Sequence, residues 1–223
     1  MKTVFKLLAG LSALAVPASI QAQTVQVNYV TASAVPGNND FVTQLAGLGL
    51  TQYATTGASL VLSSNATIYF EFLGSESGFS DTFTATGLFG SPTFTENSGF
   101  QNNFAAPIPI GFASFLAGSL GGLLNFTTSG VGSGGVNATV GQDGFGILLG
   151  RGQTTGTNVS VFYLGYDDQI NNQDDNHDDF VIRATVLPPV PEPTTWAMML
   201  IGFAGVGYSL RRRRRNDWIR QAA

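Results

Sequence analysis

Six short stretches of apolar residues, alternating with polar ones or continuous, limit the folds open to this chain. They are rich in β-branched and aromatic residues and are separated by Gly, Asn and Ser: VQVNYV (25–30), ATIYFEF (66–72), FSDTFTAT (79–86), VNATV (136–140), NVSVFYLGY (158–166) and FVIRATV (180–186). A period of two predicts strands with one buried face, and many short strands with glycine-rich turns are typical of sandwiches. The sequence predicts an all-β domain, a single β-sandwich or jelly roll, with one short helix after Asn39-Asp40.

An uncharged stretch interrupts this pattern. Residues 97–142 carry no charge, and the strongly apolar segment 105–126 lies inside them. Pro107, Pro109 and several glycines disfavour a continuous helix, and no cationic flank fixes a membrane orientation. We therefore expect a buried loop, a strand or a short helix here rather than a membrane span.

The N-terminus has the three parts of a secretory signal peptide. Lys2 and Lys6 form a basic region, Leu7–Val16 is apolar, and small residues follow up to Ala22. The apolar run is too short to cross a bilayer, as is usual for such a leader. The sequence predicts that residues 1–22 are a signal peptide, removed by signal peptidase after Ala22, and that the protein is exported.

The C-terminus carries an uncharged apolar run followed at once by arginines. Residues 194–210 would form a helix about 26 Å long at about 1.5 Å per residue, close to a hydrocarbon core of about 30 Å. Arg211–Arg215 come next. The positive-inside rule keeps these arginines in the cytoplasm and the preceding domain outside. We expect 194–210 to be a transmembrane helix and 211–223 a basic cytoplasmic tail.

The order of features at this end resembles the PEP-CTERM sorting signal in its PEPxxWA variant. The resemblance implies a Gram-negative bacterium that makes exopolysaccharide, and a membrane-embedded exosortase that removes the tail. It also implies an inner-membrane intermediate and delivery to the cell envelope or the extracellular, biofilm-type matrix. The residues that match the signal are Pro191, Glu192, Pro193, Trp196, Ala197, Arg211, Arg212, Arg213, Arg214 and Arg215.

The charge between the two signals restricts the partners. The segment comprises a β-rich extracellular domain, 23–187, and a proline-rich linker, 188–193. Residues 23–193 contain thirteen acidic and two basic residues, a net charge of −11. Such a surface repels phosphate backbones, which excludes nucleic acid, and leaves cations or cation-bridged polymers. The chain has no cysteine, so disulfides and thiolate metal sites are excluded.

The segment YDDQINNQDDNHDDF, residues 166–180, is the strongest candidate site. Its six aspartates fall within 13 residues and repel one another unless water or a cation screens them. Asp174, Asn176 and Asp178 have the 1, 3, 5 spacing of oxygen ligands that is typical of calcium loops. The sixth position is Asp179, which excludes an EF-hand because an EF-hand needs glycine there. The alternative is a solvated acidic hairpin. The predicted calcium ligands are Asp167, Asp168, Asp174, Asn176, Asp178 and Asp179.

A second resemblance covers the same region. Tyr166-Asp167-Asp168, the Asp/Asn-rich turn and Arg183 in the last strand are similar to a pattern in uncharacterised β-rich domains that carry the PEP-CTERM signal. The resemblance implies no activity. We expect Arg183 to pair with an acid across the hairpin.

Enzymatic motifs are weak. GVGSGG (130–135) matches a dinucleotide fingerprint but precedes a strand-like segment where the fingerprint needs a helix, so it predicts a turn. A Ser or Thr mechanism would have to use His177, which is the only histidine. A glycosidase needs only two suitably spaced acids, for which Glu71 and Glu76 are the candidates.

The sequence therefore predicts a non-enzymatic exported protein with a structural or adhesive role, calcium-stabilised and associated with exopolysaccharide. The alternative is a carbohydrate- or ice-binding module, because threonines 82, 84 and 86 fall on one strand face. A polysaccharide-acting hydrolase is the third hypothesis.

Overall fold

The computed structural model describes residues 23–170, 176–188, 196–208 and 211. Several predictions fall outside these residues: the signal peptide with Ala22, the calcium ligand Asp174, the motif residues Pro191, Glu192 and Pro193, and the arginines 212–215. Those predictions stay predictions.

The described residues form a β-rich domain with one short α-helix, α1 (Val42–Gly47), and one 3-10 turn, Val131–Ser133. Residues 196–208 are also helical. The strands are β1 (Val25–Asn28), β2 (Ser33–Ala34), β3 (Leu50–Ala54), β4 (Ser59–Leu62), β5 (Ala66–Ser75), β6 (Asp81–Ala85), β7 (Thr93–Thr95), β8 (Gln101–Asn102), β9 (Ile108–Phe115), β10 (Gly118–Ser119), β11 (Leu124–Thr128), β12 (Ala138–Thr139), β13 (Phe145–Gly150), β14 (Thr157–Val159), β15 (Val161–Tyr166) and β16 (Phe180–Val186).

These strands form three antiparallel sheets. The largest has the order β2-β3-β13-β15-β16-β5-β8, with β9 also paired to β5. The two smaller sheets have the orders β10-β4-β1-β14 and β12-β11-β6-β7. The all-β prediction and the short helix after Asn39-Asp40 are confirmed, whereas the jelly-roll topology stays a prediction. The stretch predicted as one strand over 158–166 is two strands, β14 and β15.

Aromatic side chains join the largest sheet to the sheet that contains β6 and β11. Phe70 on β5 contacts Phe83 on β6 at 5.2 Å between ring centroids, and Phe126 on β11 contacts Phe180 on β16 at 5.4 Å. All four are fully buried, as the alternation in their strands predicts. Because the chain has no disulfides, this burial of apolar surface is the main source of its stability.

Helix α1 covers part of the other face of the largest sheet. Phe41 and Leu45 pack in a second cluster with Leu73, Leu148 and Val181. For this reason the C-terminal half of β5 and the start of β16 are buried on both faces. The contact also brings the residues before α1 close to the turn that leads into β16.

The apolar segment 105–126 contains β9, β10 and the start of β11. Of the three alternatives to a membrane span that the sequence left open, a buried loop, a strand or a short helix, the structure shows strands. No helix in the parts of the chain that the structure describes is long and apolar enough to cross a membrane.

Candidate cation site

Three chain segments leave the largest sheet at one place and bring the acidic residues together. Strands β15 and β16 pair antiparallel, with Tyr166 opposite Phe180 at the end of the predicted hairpin. Strand β16 also pairs with β5, where Val181 lies opposite Gly74. The residues that follow β15, precede β16 and follow β5 therefore converge.

The acidic residues at this end are buried. Exposure is 1% for Asp167, 3% for Asp168, 0% for Asp178 and 8% for Asp179. Asn176 is 3% exposed. These five predicted ligands are therefore buried, whereas the alternative of a solvated hairpin expects acids exposed to water.

A cavity of about 270 Å³ opens among these carboxylates. Four acids line it, Glu76, Asp167, Asp168 and Asp179, together with Gly78, Phe79 and Gln169. Asp178 lies beside it: carboxylate oxygens of Glu76, Asp178 and Asp179 are all within 4.8 Å of one another. We call these five acids the acidic cavity. Sequence reasoning included four of them and missed Glu76 as a ligand.

Hydrogen bonds hold these carboxylates in place. The Ser77 hydroxyl donates to Asp168 Oδ2 at 2.7 Å, and the Asp168 N–H donates to Asp179 Oδ2 at 2.7 Å. Asp178 Oδ2 accepts the N–H of Asp40, just before α1, at 2.6 Å. The three converging segments and the approach to α1 are therefore connected through the acids themselves.

Two further acids lie behind the cavity. Asp81, the first residue of β6, is fully buried, and neither of its carboxylate oxygens accepts a hydrogen bond of normal geometry. Its carboxyl adjoins that of Asp168. Its N–H donates to Glu96 Oε1 at 2.9 Å, and Gln101 Nε2 donates to Glu96 Oε2 at 2.8 Å. Asp81 and Phe83 lie on the same, inward face of β6. An acid at an inward position of a predicted strand is the sequence feature that could have identified Asp81.

Burial makes the charged form of these groups costly. Burial, opposed by the hydrogen bond from the Asp168 N–H and reinforced by the nearby carboxylates of Asp168, Asp167 and Glu76, raises the pKa of Asp179 to about 9. It also raises the pKa of Asp81 to about 7, opposed by the hydroxyls of Thr128 and Ser77. The pKa of Asp168 and that of Glu96 rise for the same reason. Such groups stay protonated or take up a cation.

The two arginines of the described domain lie elsewhere. Arg183 Nε donates to Glu71 Oε2 at 2.7 Å. The acid that pairs with Arg183 is therefore on β5. It is not on β15, the strand across the hairpin where the sequence predicted a partner. Arg151 is exposed in the turn after β13. Of the two glycosidase candidates, Glu71 is thus in an ion pair, and only Glu76 reaches the cavity.

His177 fixes the turn against the sheet. It is 1% exposed, it adopts a left-handed backbone with φ 58°, and its ring lies 4.7 Å from that of Tyr53. Its Nε2–H donates to the carbonyl of Asp143 at 2.8 Å. A Cβ on Gly165 would lie 2.4 Å from the His177 carbonyl oxygen, so β15 needs glycine there. These contacts position Asp178 and Asp179, which directly follow His177.

Oxygen ligands in this arrangement suit a hard divalent cation. Calcium takes six to eight oxygens in irregular geometry, from carboxylates, carbonyls and waters. The cavity supplies several carboxylates and has room for bound water, whereas the chain has no thiolate to attract softer metals. The residues present therefore fit calcium.

The C-terminal segment bears on where this domain is delivered. Residues 189–215 match the family described as the PEP-CTERM protein-sorting motif. The chain carries a PEP-CTERM sorting signal. This signal implies an exported protein that is sorted by an exosortase, and the resemblance seen in the sequence is confirmed. No curated protein and no solved structure matches the chain.

Part of the PEP-CTERM signal lies within the described residues. Trp196 and Ala197 begin the helical residues 196–208, which are exposed along their whole length, and Arg211 is also helical and exposed. The remaining motif residues lie outside the described parts.

Proposed function

We propose that this protein is an exported structural domain of the cell envelope or exopolysaccharide matrix, and that calcium bound in the acidic cavity stabilises its fold. The sorting signal supports the destination. The observation that carries the proposal is the burial of the acidic cavity beside Asp81, an equally buried acid without a normal hydrogen bond. The role is passive: calcium holds the domain together and takes no part in catalysis.

Calcium competes with protons for these groups. A proton on Asp179 or Asp81 also removes the buried charge, which is what their raised pKa values express. Above those pKa values protons are lost, and a divalent cation then compensates several carboxylates at once. Extracellular calcium modules work at about 0.1–1 mM affinity, which suits an exported domain.

The position of the cavity explains how one ion would stabilise the whole fold. Its ligands come from the loop after β5, the end of β15 and the start of β16, and these are neighbouring strands in the largest sheet. An ion bound only by the folded state adds about 2.7 kcal/mol when its concentration is a hundredfold above Kd.

Calcium binding is tested by titrating calcium into EDTA-treated, desalted protein in a calorimeter. We expect saturable binding that Asp179→Asn weakens at least tenfold. The matched control is Asp143→Asn, because Asp143 is an exposed acid that does not line the cavity. Equal binding by the two variants would refute the proposed site.

One observation favours the carbohydrate- or ice-binding alternative. Thr82 and Thr84 on β6 face Thr95 and Thr93 on β7, with hydroxyl separations of 2.8 and 3.3 Å. Thr127 on β11 lies on the other side of Thr82, so the single row expected from the sequence extends across three strands. Rows about 4.8 Å apart, with side chains about 6.8 Å apart along each strand, form a regular hydroxyl surface.

The test of this alternative is Thr84→Lys with Thr93→Lys on the same surface. These changes should abolish inhibition of ice recrystallisation, or polysaccharide co-sedimentation, if the threonine surface binds either ligand. A wild-type protein without either activity excludes the alternative.

A further inference from the structure

An apolar groove lies where the chain leaves the domain. Four large side chains stand exposed along it: Leu88 at 61%, Phe89 at 73%, Phe112 at 61% and Leu116 at 59%. Leu187 and Pro188, the last described residues of the domain, complete a groove of about 570 Å³. Several exposed apolar side chains in one place indicate a contact surface.

The fold holds this groove in shape. The Leu88 N–H donates to the Ser114 carbonyl at 2.7 Å, and the Ser114 N–H donates to the Phe89 carbonyl at 2.8 Å. Gly90 has φ +77°, and a Cβ there would lie 2.5 Å from the Phe112 carbonyl oxygen. The turn that carries Leu88 and Phe89 is thus fastened to the edge of β9, and the two side chains are presented to the outside.

Charge distinguishes the groove from the rest of the domain. None of its lining residues is charged, and its polar members are Gln23, Asn65, Thr67 and Ser114. The predicted exported segment, by contrast, has a net charge of −11. An anionic membrane surface repels such a domain. The groove is a face that can approach lipid without desolvating a carboxylate.

The short linker after the domain keeps the groove near the membrane. The sorting motif begins at residue 189, directly after Pro188 in the groove. Seven residues separate Pro188 from Trp196, the first described residue of the apolar helix, and the eight steps between them span at most about 28 Å at about 3.5 Å per residue. While the C-terminal segment is in the membrane, the groove stays close to the lipid surface.

We propose that this groove seats the domain on the lipid surface of the membrane that holds its C-terminal segment. Phe89, Phe112, Leu88 and Leu116 enter the interfacial region, where aromatic and leucine side chains are favoured. The contact orients the domain, with its acidic cavity outside the groove, until the tail is released. The inference depends on the sorting signal and is independent of calcium.

Because the chain has no cysteine, a fluorophore can be attached at a single introduced cysteine. The full-length protein is reconstituted in phosphatidylcholine liposomes that contain a headgroup-region nitroxide lipid. One label is placed at Leu116→Cys in the groove, and the matched control is Val131→Cys, which is 57% exposed and outside the groove. Iodide reports access from water in the same samples.

We expect nitroxide lipid to quench the label at 116 and not the label at 131. Adding Phe89→Ser and Phe112→Ser should abolish quenching at 116 without changing the melting temperature by more than a few degrees, since both side chains are largely exposed. Equal iodide quenching at 116 and 131, without lipid quenching, would overturn the proposal. A label at 116 protected from iodide but not quenched by lipid would also overturn it, because the groove would then be covered by protein.

Discussion

At the scale of single residues, the cation site depends on acids placed where their strands would otherwise bury apolar side chains. Asp81 occupies the inward face of β6 that Phe83 also occupies, and both are fully buried. In the absence of a cation, a carboxyl in such a position is most stable when protonated. The ionised Asp81 carboxylate thus lowers the stability of the fold at neutral pH unless a bound cation compensates its charge.

Asp81→Asn tests this cost directly. The raised pKa, about 7, means that Asp81 stabilises the fold below its ordinary pKa and that this stability is lost as pH rises through about 7. Asparagine has no charge to ionise. In EDTA at pH 8 the variant should therefore melt at a higher temperature than wild type, and the difference should shrink at pH 5. A lower melting temperature at both pH values would show that the Asp81 charge is compensated in another way.

The calcium-free protein should lose stability as pH rises. The pKa of Asp179, about 9, and that of Asp81, about 7, both exceed the ordinary aspartate value. Protons therefore bind more strongly to the folded state, and unfolding becomes easier from about pH 4 to pH 9. Chemical denaturation in EDTA across this range measures the trend, and calcium should flatten it. A calcium-free protein that is most stable at pH 9 would contradict these pKa directions.

At the scale of elements, the site depends on how closely the turn before β16 lies on the sheet. Gly146 and Gly165 leave room for His177, and the pairing of β15 with β16 brings Asp168 next to Asp179. A side chain at either glycine would meet the turn itself.

Gly165→Ala should therefore damage the site. The new Cβ would lie 2.4 Å from the His177 carbonyl oxygen, and overpacking of this kind costs about 1–3 kcal/mol. We expect a lower melting temperature and weaker calcium binding, measured by calorimetry. Gly132→Ala is the control, because a Cβ there meets nothing within 4 Å. Equal effects of the two changes would show that the turn is not held as described.

The strands could be predicted to the extent that apolar and polar residues alternate along them. β1, β5, β6 and β16 have a clear period of two or a continuous apolar run, whereas β9 contains a proline and a glycine and was left open as loop, strand or helix. The acids of 167–179 were predictable because they are close in sequence. Glu76, Asp81 and Glu96 join them only through long-range strand pairing, which the local pattern does not contain.

At the scale of the whole molecule, the chain joins an acidic β domain to a sorting segment through a short linker. Deleting 189–223 should release the domain in soluble form, because 105–126 forms strands and supplies no second anchor. Carbonate extraction of membranes from expressing cells measures this. Retention of the truncated protein after extraction would contradict the topology.

The most direct test of the central claim is the melting temperature of the EDTA-treated protein in three solutions of equal ionic strength. They contain millimolar calcium chloride, magnesium chloride or sodium chloride. Magnesium retains its water and requires a small octahedral site, so it should stabilise less than calcium. We predict an increase of several degrees in calcium, a smaller one in magnesium and almost none in sodium. Equal stabilisation by all three salts would show charge screening alone and would contradict a calcium site in the acidic cavity.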